Sequence, residues 1–142
     1  MPSAICVDAS FIIRSLTPNS DLQYATDLLE QWIENQHPLI APSLITYEVS
    51  SALHRLQHLN KLESQIAQEA FTTFQQLGIT LIESPQLHNL SWRLAQQFGH
   101  SRTYDAAYLA VAQLHNAEMW TADKKLYNSV CEQFTWVKML GE

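Results

Sequence analysis

The sequence predicts an α/β protein, a three-layer α/β/α sandwich whose central sheet is mostly parallel. Short apolar runs of strand length alternate along the chain with longer segments whose apolar residues recur at helical spacing. Turn and cap chemistry sits at the boundaries, at His37-Pro38, Pro42-Ser43, Asn60-Lys61, Gly78, Ser84-Pro85 and Gly99. Strands joined by helical crossovers pair in parallel, and the crossovers cover both faces of the sheet.

Ser3 to Val7 is an apolar run that stops at Asp8, as a buried first strand would. Phe11, Ile12 and Ile13 are expected to form a short apolar turn. From Asp21, the spacing of Leu22, Ala25, Leu28, Leu29, Trp32 and Ile33 predicts an amphipathic helix that His37-Pro38 breaks. Leu39 to Ala41 is a second strand, and Pro42-Ser43 supplies turn and cap for a helix carrying Ile45, Val49, Ala52, Leu53 and Leu56 on one face. After Asn60-Lys61, residues Ile66, Ala70, Phe71 and Phe74 mark its partner in a helical hairpin, which ends at Gly78 in a left-handed cap. Ile79 to Ile82 is β-branched and strand-like. Ser84-Pro85 then starts a helix by capping residue followed by proline, and Gly99 ends it. The alanine-rich stretch from Thr103 to His115 is helical, Glu118 to Thr121 a strand, Lys124 to Val130 a short helix, and Phe134 to Val137 the last strand.

No repeat, linker or low-complexity tract interrupts this alternation, so residues 1–142 are expected to form one domain. With 46% apolar and 15% charged residues, the composition excludes a disordered or fibrous chain. The apolar runs fall far short of the ~20 residues that cross a bilayer. Met1-Pro2-Ser3 has no basic region leading into an apolar one. Cys6 and Cys131 give neither metal spacing nor a disulfide framework. The expectation is a cytoplasmic protein, neither secreted nor bound to membrane. A net charge of −6 argues against broad adhesion to nucleic acid, but the sum hides a distribution in which clustered acids could serve as ligands.

Where the acids fall is informative. Asp8 follows the first strand and Asp123 the strand ending at Thr121, so both emerge at the carboxyl edge of a parallel sheet, where open α/β sheets bind ligands. Glu48, three residues after Ile45 and four before Ala52, lies on or beside a buried helix face. Asp105 falls in the first turn of its helix and borders the apolar stripe. Taken singly, Asp8 and Asp123 are also explained as helix caps and Asp105 as a partner of the helix dipole. A charge at Glu48 requires compensation. Four carboxylates brought together repel one another, and a divalent cation resolves the repulsion. Oxygen-only ligation favours Mg²⁺ or Mn²⁺.

Taken together, Asp8-Ala9-Ser10, the helical Glu48, the segment Thr103-Tyr-Asp105-Ala-Ala-Tyr-Leu-Ala-Val-Ala112 and Trp120-Thr-Ala-Asp123-Lys-Lys-Leu126 resemble the PIN-domain family, particularly its VapC-type toxin ribonucleases. The resemblance spans nearly the whole chain, and no acid of the family pattern is missing. It implies metal-dependent endonucleolytic cleavage of RNA, with Asp8, Glu48, Asp105 and Asp123 as the acidic, metal-holding set and metal-activated water as nucleophile. It also implies a toxin held inactive by a small antitoxin protein, and a homodimer. Asp8 and Asp105 are expected to carry most direct ligation, while Glu48 ligates or orients water and Asp123 acts directly or through an intermediary. The hydroxyls of Ser10 and Thr121 are expected to face the same edge and position water or carboxylate. Arg14, Arg102, Lys124 and Lys125, half of the chain's eight basic residues, flank the acids; Arg102 and Lys124 are the expected phosphate contacts.

Other chemistries find less support. His54 and His58 stand at the i, i+4 spacing that can clasp zinc, but Arg55 replaces the glutamate of the zinc-protease motif, and an exposed helix flank explains them better. Ser10 lacks a nucleophile elbow, and a chain with only Gly78, Gly99 and Gly141 has no phosphate-cradling loop. Trp32, Trp92, Trp120 and Trp136 lie in apolar periodic segments and are expected in the core. The rival classes are a catalytically silent PIN-like module that binds RNA or protein, and an aspartyl-phosphate protein. The latter wants a second Asp where Ser10 stands.

Overall fold

The computed structural model describes residues 2–141; Met1 and Glu142, the ends of the expected domain, lie outside the described residues. Five strands form one all-parallel sheet: β1 (Ile5–Val7), β2 (Leu39–Pro42), β3 (Thr80–Ile82), β4 (Glu118–Thr121) and β5 (Val137–Met139), in the order β3-β2-β1-β4-β5. The chain first builds outward from β1 through β2 to β3, then returns to place β4 on the other side of β1. That reversal makes the carboxyl ends of β1 and β4 the topological switch point of the sheet. Their register sets Val7 opposite Trp120, so the residues that follow, Asp8 on one strand and Thr121 on the other, are brought side by side.

Seven helices cover the sheet: α1 (Ala9–Leu16), α2 (Leu22–Glu34), α3 (Ile45–His58), α4 (Ser64–Gln76), α5 (Pro85–Phe98), α6 (Tyr104–Leu114) and α7 (Lys124–Val130). α6 lies against β1, β2 and β4 with α5 packed upon it. Residues Ala106 to Ala112 of α6 are buried on all sides, which its run of small residues permits. Cys6 on β1 faces this layer, with its sulfur 3.6 Å from the Tyr108 carbonyl. Ile5 and Val7, alternating with it, face the layer opposite. There α1 packs against α2, α3 and α4, and Phe11, Trp32 and Trp120 join in a cluster with ring centroids 5.4 to 6.4 Å apart.

Three local expectations change. Phe11 to Ile13 are not a turn but the core face of α1: Asp8 caps that helix, and Phe11 and Ile12 are fully buried. Its two turns are too short to display helical periodicity. Ser43 does not cap α3, whose N-terminal residue Leu44 carries no side-chain cap; the Ser43 hydroxyl instead donates to Glu83 at 2.6 Å. The last strand is Val137–Met139 rather than Phe134 to Val137. Phe134 and Trp136 stack on each other with centroids 4.6 Å apart, and Phe134 also meets Phe98 of α5 at 5.1 Å. Side-chain clustering, not strand pairing, uses these aromatics. Gly78 occupies the left-handed region expected of it, at φ 73°, and Gly99, where α5 ends as expected, does so too at φ 67°.

Candidate active site

The switch point is stitched by one hydroxyl network. Asp8, extended at φ −99° and ψ 173°, accepts the Phe11 N–H at Oδ1 (2.9 Å) as the cap of α1, and the same oxygen accepts the Ser10 hydroxyl at 2.7 Å. Its Oδ2 accepts the Thr121 hydroxyl at 2.5 Å. Ser10 Oγ in turn accepts the Ala122 N–H at 2.9 Å, and Thr121 Oγ1 the Asp123 N–H at 3.0 Å. Of the roughly four acceptor positions on the Asp8 carboxylate, three are occupied and one on Oδ2 is left. Burial pushes the Asp8 carboxyl up to about 6 against the pull of these three donors, and Asp105 adds to the rise.

Glu48 projects from the first turn of α3 and accepts the Tyr108 hydroxyl at 2.5 Å. Its carboxyl is raised above the usual range by burial first and by Asp105 as well, with Tyr108 opposing. Asp105, in the first turn of α6, is raised by burial and then by Asp123, while His100 and Lys125 pull it down. Asp123 caps α7, its Oδ1 accepting the Leu126 N–H at 3.1 Å. The bland assignments of Asp8 and Asp123 as caps are therefore correct, yet both acids also reach one shared electrostatic neighbourhood, in which Asp105 is the common member.

Glu48, Asp105 and Asp123 line a groove of about 510 Å³ together with His100, Arg102 and Lys125. Asp8 is only 5% exposed and lies beneath them. Among the described residues no group of three or more His, Cys, Asp or Glu side chains stands close enough together to hold a metal ion. The four acids are thus neighbours rather than a closed cage. The donor chemistry nonetheless suits a hard dication: oxygens only, carboxyls driven toward protonation by burial and mutual repulsion, and an open groove beside them. Mg²⁺ in particular is held by one or two carboxylates and completed by water and substrate phosphate.

Several expected contacts move. Thr121 is fully buried, and its hydroxyl, bonded to Asp8 and to the Asp123 N–H, positions a carboxylate as expected rather than lying open to a substrate. Ser10 is likewise committed to Asp8 and to the Ala122 amide. Lys124 is exposed and lies outside the groove lining, whereas Lys125, one residue further round α7, lies within it. Arg14 bonds Asn19 and pairs with Asp21 at 3.7 Å on the surface. Arg102 lines the groove as expected. Trp92 is 62% exposed rather than in the core, and His54 and His58 stack on each other along an exposed helix flank.

Tyr108 and His100 are additions to the site. Tyr108 was legible in principle, since it stands three residues after Asp105 and so on the same helix face. His100, held behind Gly99 by its N–H to the Ala95 carbonyl, had no periodic signal.

The family model for the PIN domain matches residues 5–130. The protein named ribonuclease VapC9, from Mycobacterium tuberculosis, is 30% identical over 88 residues, covering 62% of this chain and 67% of that one. Among solved structures, PAE2754 from Pyrobaculum aerophilum superposes with a TM-score of 0.71 at 22% identity, over 97% of this chain and 84% of that chain. A toxin–antitoxin complex from Klebsiella pneumoniae gives a TM-score of 0.61 at 22% identity, over 90% of this chain and 92% of that chain. At these identities the structural likenesses bear on the fold alone.

Proposed function

Because the chain belongs to the PIN-domain family, we propose that it is a Mg²⁺- or Mn²⁺-dependent endoribonuclease and the toxin of a toxin–antitoxin pair. The observation that carries this reading is the groove itself, lined by Glu48, Asp105 and Asp123 together with Arg102 and Lys125, with the buried Asp8 in electrostatic reach of Asp105. Its acids suit a dication, and its bases suit the phosphates of a substrate that would otherwise be repelled. The similarity to a protein named as a VapC ribonuclease supports the substrate class. A chain of the same fold comes from a toxin–antitoxin complex, which is in keeping with an antitoxin partner here.

Asp105 would hold the ion, as the acid in electrostatic reach of each of the others, together with Asp8 and Glu48. When bound, the ion supplies an activated water and Lewis-acid charge for attack at phosphorus. This chain's own residues do the rest. Arg102 and Lys125 orient the phosphodiester, Thr121 and Ser10 fix Asp8 in one rotamer, and Tyr108 fixes Glu48. A homodimer belongs to the same proposal. No helix among the described residues is long and apolar enough to cross a membrane, which suits a toxin acting on RNA in the cytoplasm.

Incubation of labelled single-stranded RNA with the protein, with Mg²⁺ and with EDTA, tests the reading. Internal cleavage in Mg²⁺ alone, abolished by Asp105→Asn, is expected. Retention of RNA without cleavage in either condition would make the chain a silent binding module, and phosphate incorporation at Asp8 would make it an aspartyl-phosphate protein.

A further inference from the structure

A second cavity, of about 350 Å³, opens between the start of α3, α5 and the start of α6, walled by Pro42, Leu44, Leu87, Trp92 and Tyr104 with Glu83 at its edge. It joins the acidic groove through Tyr104, which lines both and immediately precedes Asp105. Trp92 is 62% and Tyr104 54% exposed. Among the described residues neither ring stacks on another aromatic, in contrast to Trp32, Trp120 and Trp136. Large unpartnered rings beside a phosphate-binding groove are what a splayed-out base stacks upon.

The polar edge is equally specific. Glu83 Oε2 accepts the Ser43 hydroxyl at 2.6 Å, and His88 Nε2 contacts Oε1. The Ser43 hydroxyl, with His88 assisting, holds the Glu83 carboxyl below its usual range, so at neutral pH it only accepts hydrogen bonds. An exocyclic amine of adenine, cytosine or guanine satisfies such an acceptor. Uracil offers such an acceptor only its N3–H, set between two carbonyl oxygens that the carboxylate repels, and fits it less well.

We propose that this cavity is a nucleobase subsite of the RNA groove, in which Trp92 and Tyr104 stack one base of the substrate and Glu83 selects a base bearing an exocyclic amine. The inference rests on the ribonuclease reading above and deepens it.

The test maps cleavage by the native protein in Mg²⁺ across a random-sequence single-stranded RNA pool, beside the variants Trp92→Ala, Trp92→Phe, Tyr104→Ala and Glu83→Gln. Native cleavage is expected to show one position near the cut depleted in uracil. Trp92→Ala is expected to lower kcat/KM roughly 5- to 150-fold, the range that base stacking supports, and Trp92→Phe to restore most of it. Glu83→Gln should cleave while losing the discrimination against uracil. Native rates and an unchanged base pattern in both alanine variants would overturn the subsite and leave the ribonuclease standing. A fall in sedimentation coefficient accompanying the activity loss of Trp92→Ala would also overturn it, showing that the face seats a second copy of the chain. Absence of any native cleavage would instead remove the ribonuclease reading on which the subsite rests.

Discussion

Thr121, sealed from solvent at the end of β4, donates its hydroxyl to Oδ2 of Asp8 at 2.5 Å across the β1–β4 seam. The Thr121 hydroxyl oxygen in turn accepts the Asp123 N–H at 3.0 Å, so one buried hydroxyl positions two of the four acids. Thr121→Val keeps the shape and removes both bonds. It is expected to lower stability by about 1–3 kcal/mol, the cost of leaving buried polar groups unsatisfied, as read from denaturant unfolding. Because Thr121 pulls the Asp8 carboxyl down, the variant should also move the acidic limb of the activity profile to higher pH. Thr121→Ser, which retains the hydroxyl, is expected to restore that limb, an outcome that a purely packing role for Thr121 would not produce.

Burial raises the Asp8 carboxyl from 3.8 to about 6, so the native chain holds this proton more tightly than the unfolded chain does. Stability without metal should therefore fall as pH rises from about 4 through about 6 and level off above it, by on the order of 3 kcal/mol for this one group. Glu48 and Asp105, both raised, act in the same direction. Asp8→Asn is expected to abolish cleavage yet melt at pH 7, without metal, at a temperature equal to or above that of the native chain. A native stability that climbed between pH 4 and 6 would contradict this balance.

Mg²⁺ or Mn²⁺ should raise the melting temperature of the native chain by linkage, as any ligand of the folded state does. Asp105 is in electrostatic reach of Asp8, Glu48 and Asp123, so Asp105→Asn is expected to lose most of that rise. Equal shifts in the two proteins would place the ion elsewhere on the surface.

The two basic residues on the groove separate cleanly from the one outside it. Arg102→Ala and Lys125→Ala should each weaken binding of single-stranded RNA and reduce the slope of log K against log salt by about 0.7. Lys124→Ala, with its side chain in solvent off the groove, is expected to leave the slope nearly unchanged. Filter binding in EDTA at several salt concentrations reads all three.

The layer architecture was legible because apolar periodicity, Ser84-Pro85 and Gly99 report local backbone preferences that the tertiary fold did not override. The placing of Asp8 and Asp123 at one edge was legible for a different reason, since a parallel sheet sends every strand's carboxyl end the same way. What could not be read was direction around a short helix. Lys124 and Lys125 differ by about 100° on α7, and neighbouring charges give no periodic cue to which turns inward. Trp92 failed for a related reason. It follows the buried Ser91 and precedes the buried Leu94, so hydrophobicity suggested core, while the actual inward stripe of α5 runs through Leu87, Leu90, Ser91, Leu94 and Ala95. The partners of the Asp8 carboxylate lie 2, 3 and 113 positions away, and only the distant one required the fold.

Tyr108 offers the sharpest separation between positioning and packing. It is only 2% exposed, its hydroxyl is 2.5 Å from Glu48, and burial followed by the charge on Glu48 pushes its own phenol far above the usual range, so it remains a donor at every working pH. Tyr108→Phe removes one oxygen and leaves the ring. Glu48 then loses the side-chain bond that opposes its rise, and its carboxyl should take up a proton at higher pH than in the native chain. Loss of a partner that orients a ligating carboxylate is worth about 10–100-fold in activity or metal affinity. The expected result is a drop of that size in kcat, with KM for RNA nearly constant and the acid limb displaced upward. A rise in KM at unchanged kcat would instead assign Tyr108 to the shape of the groove.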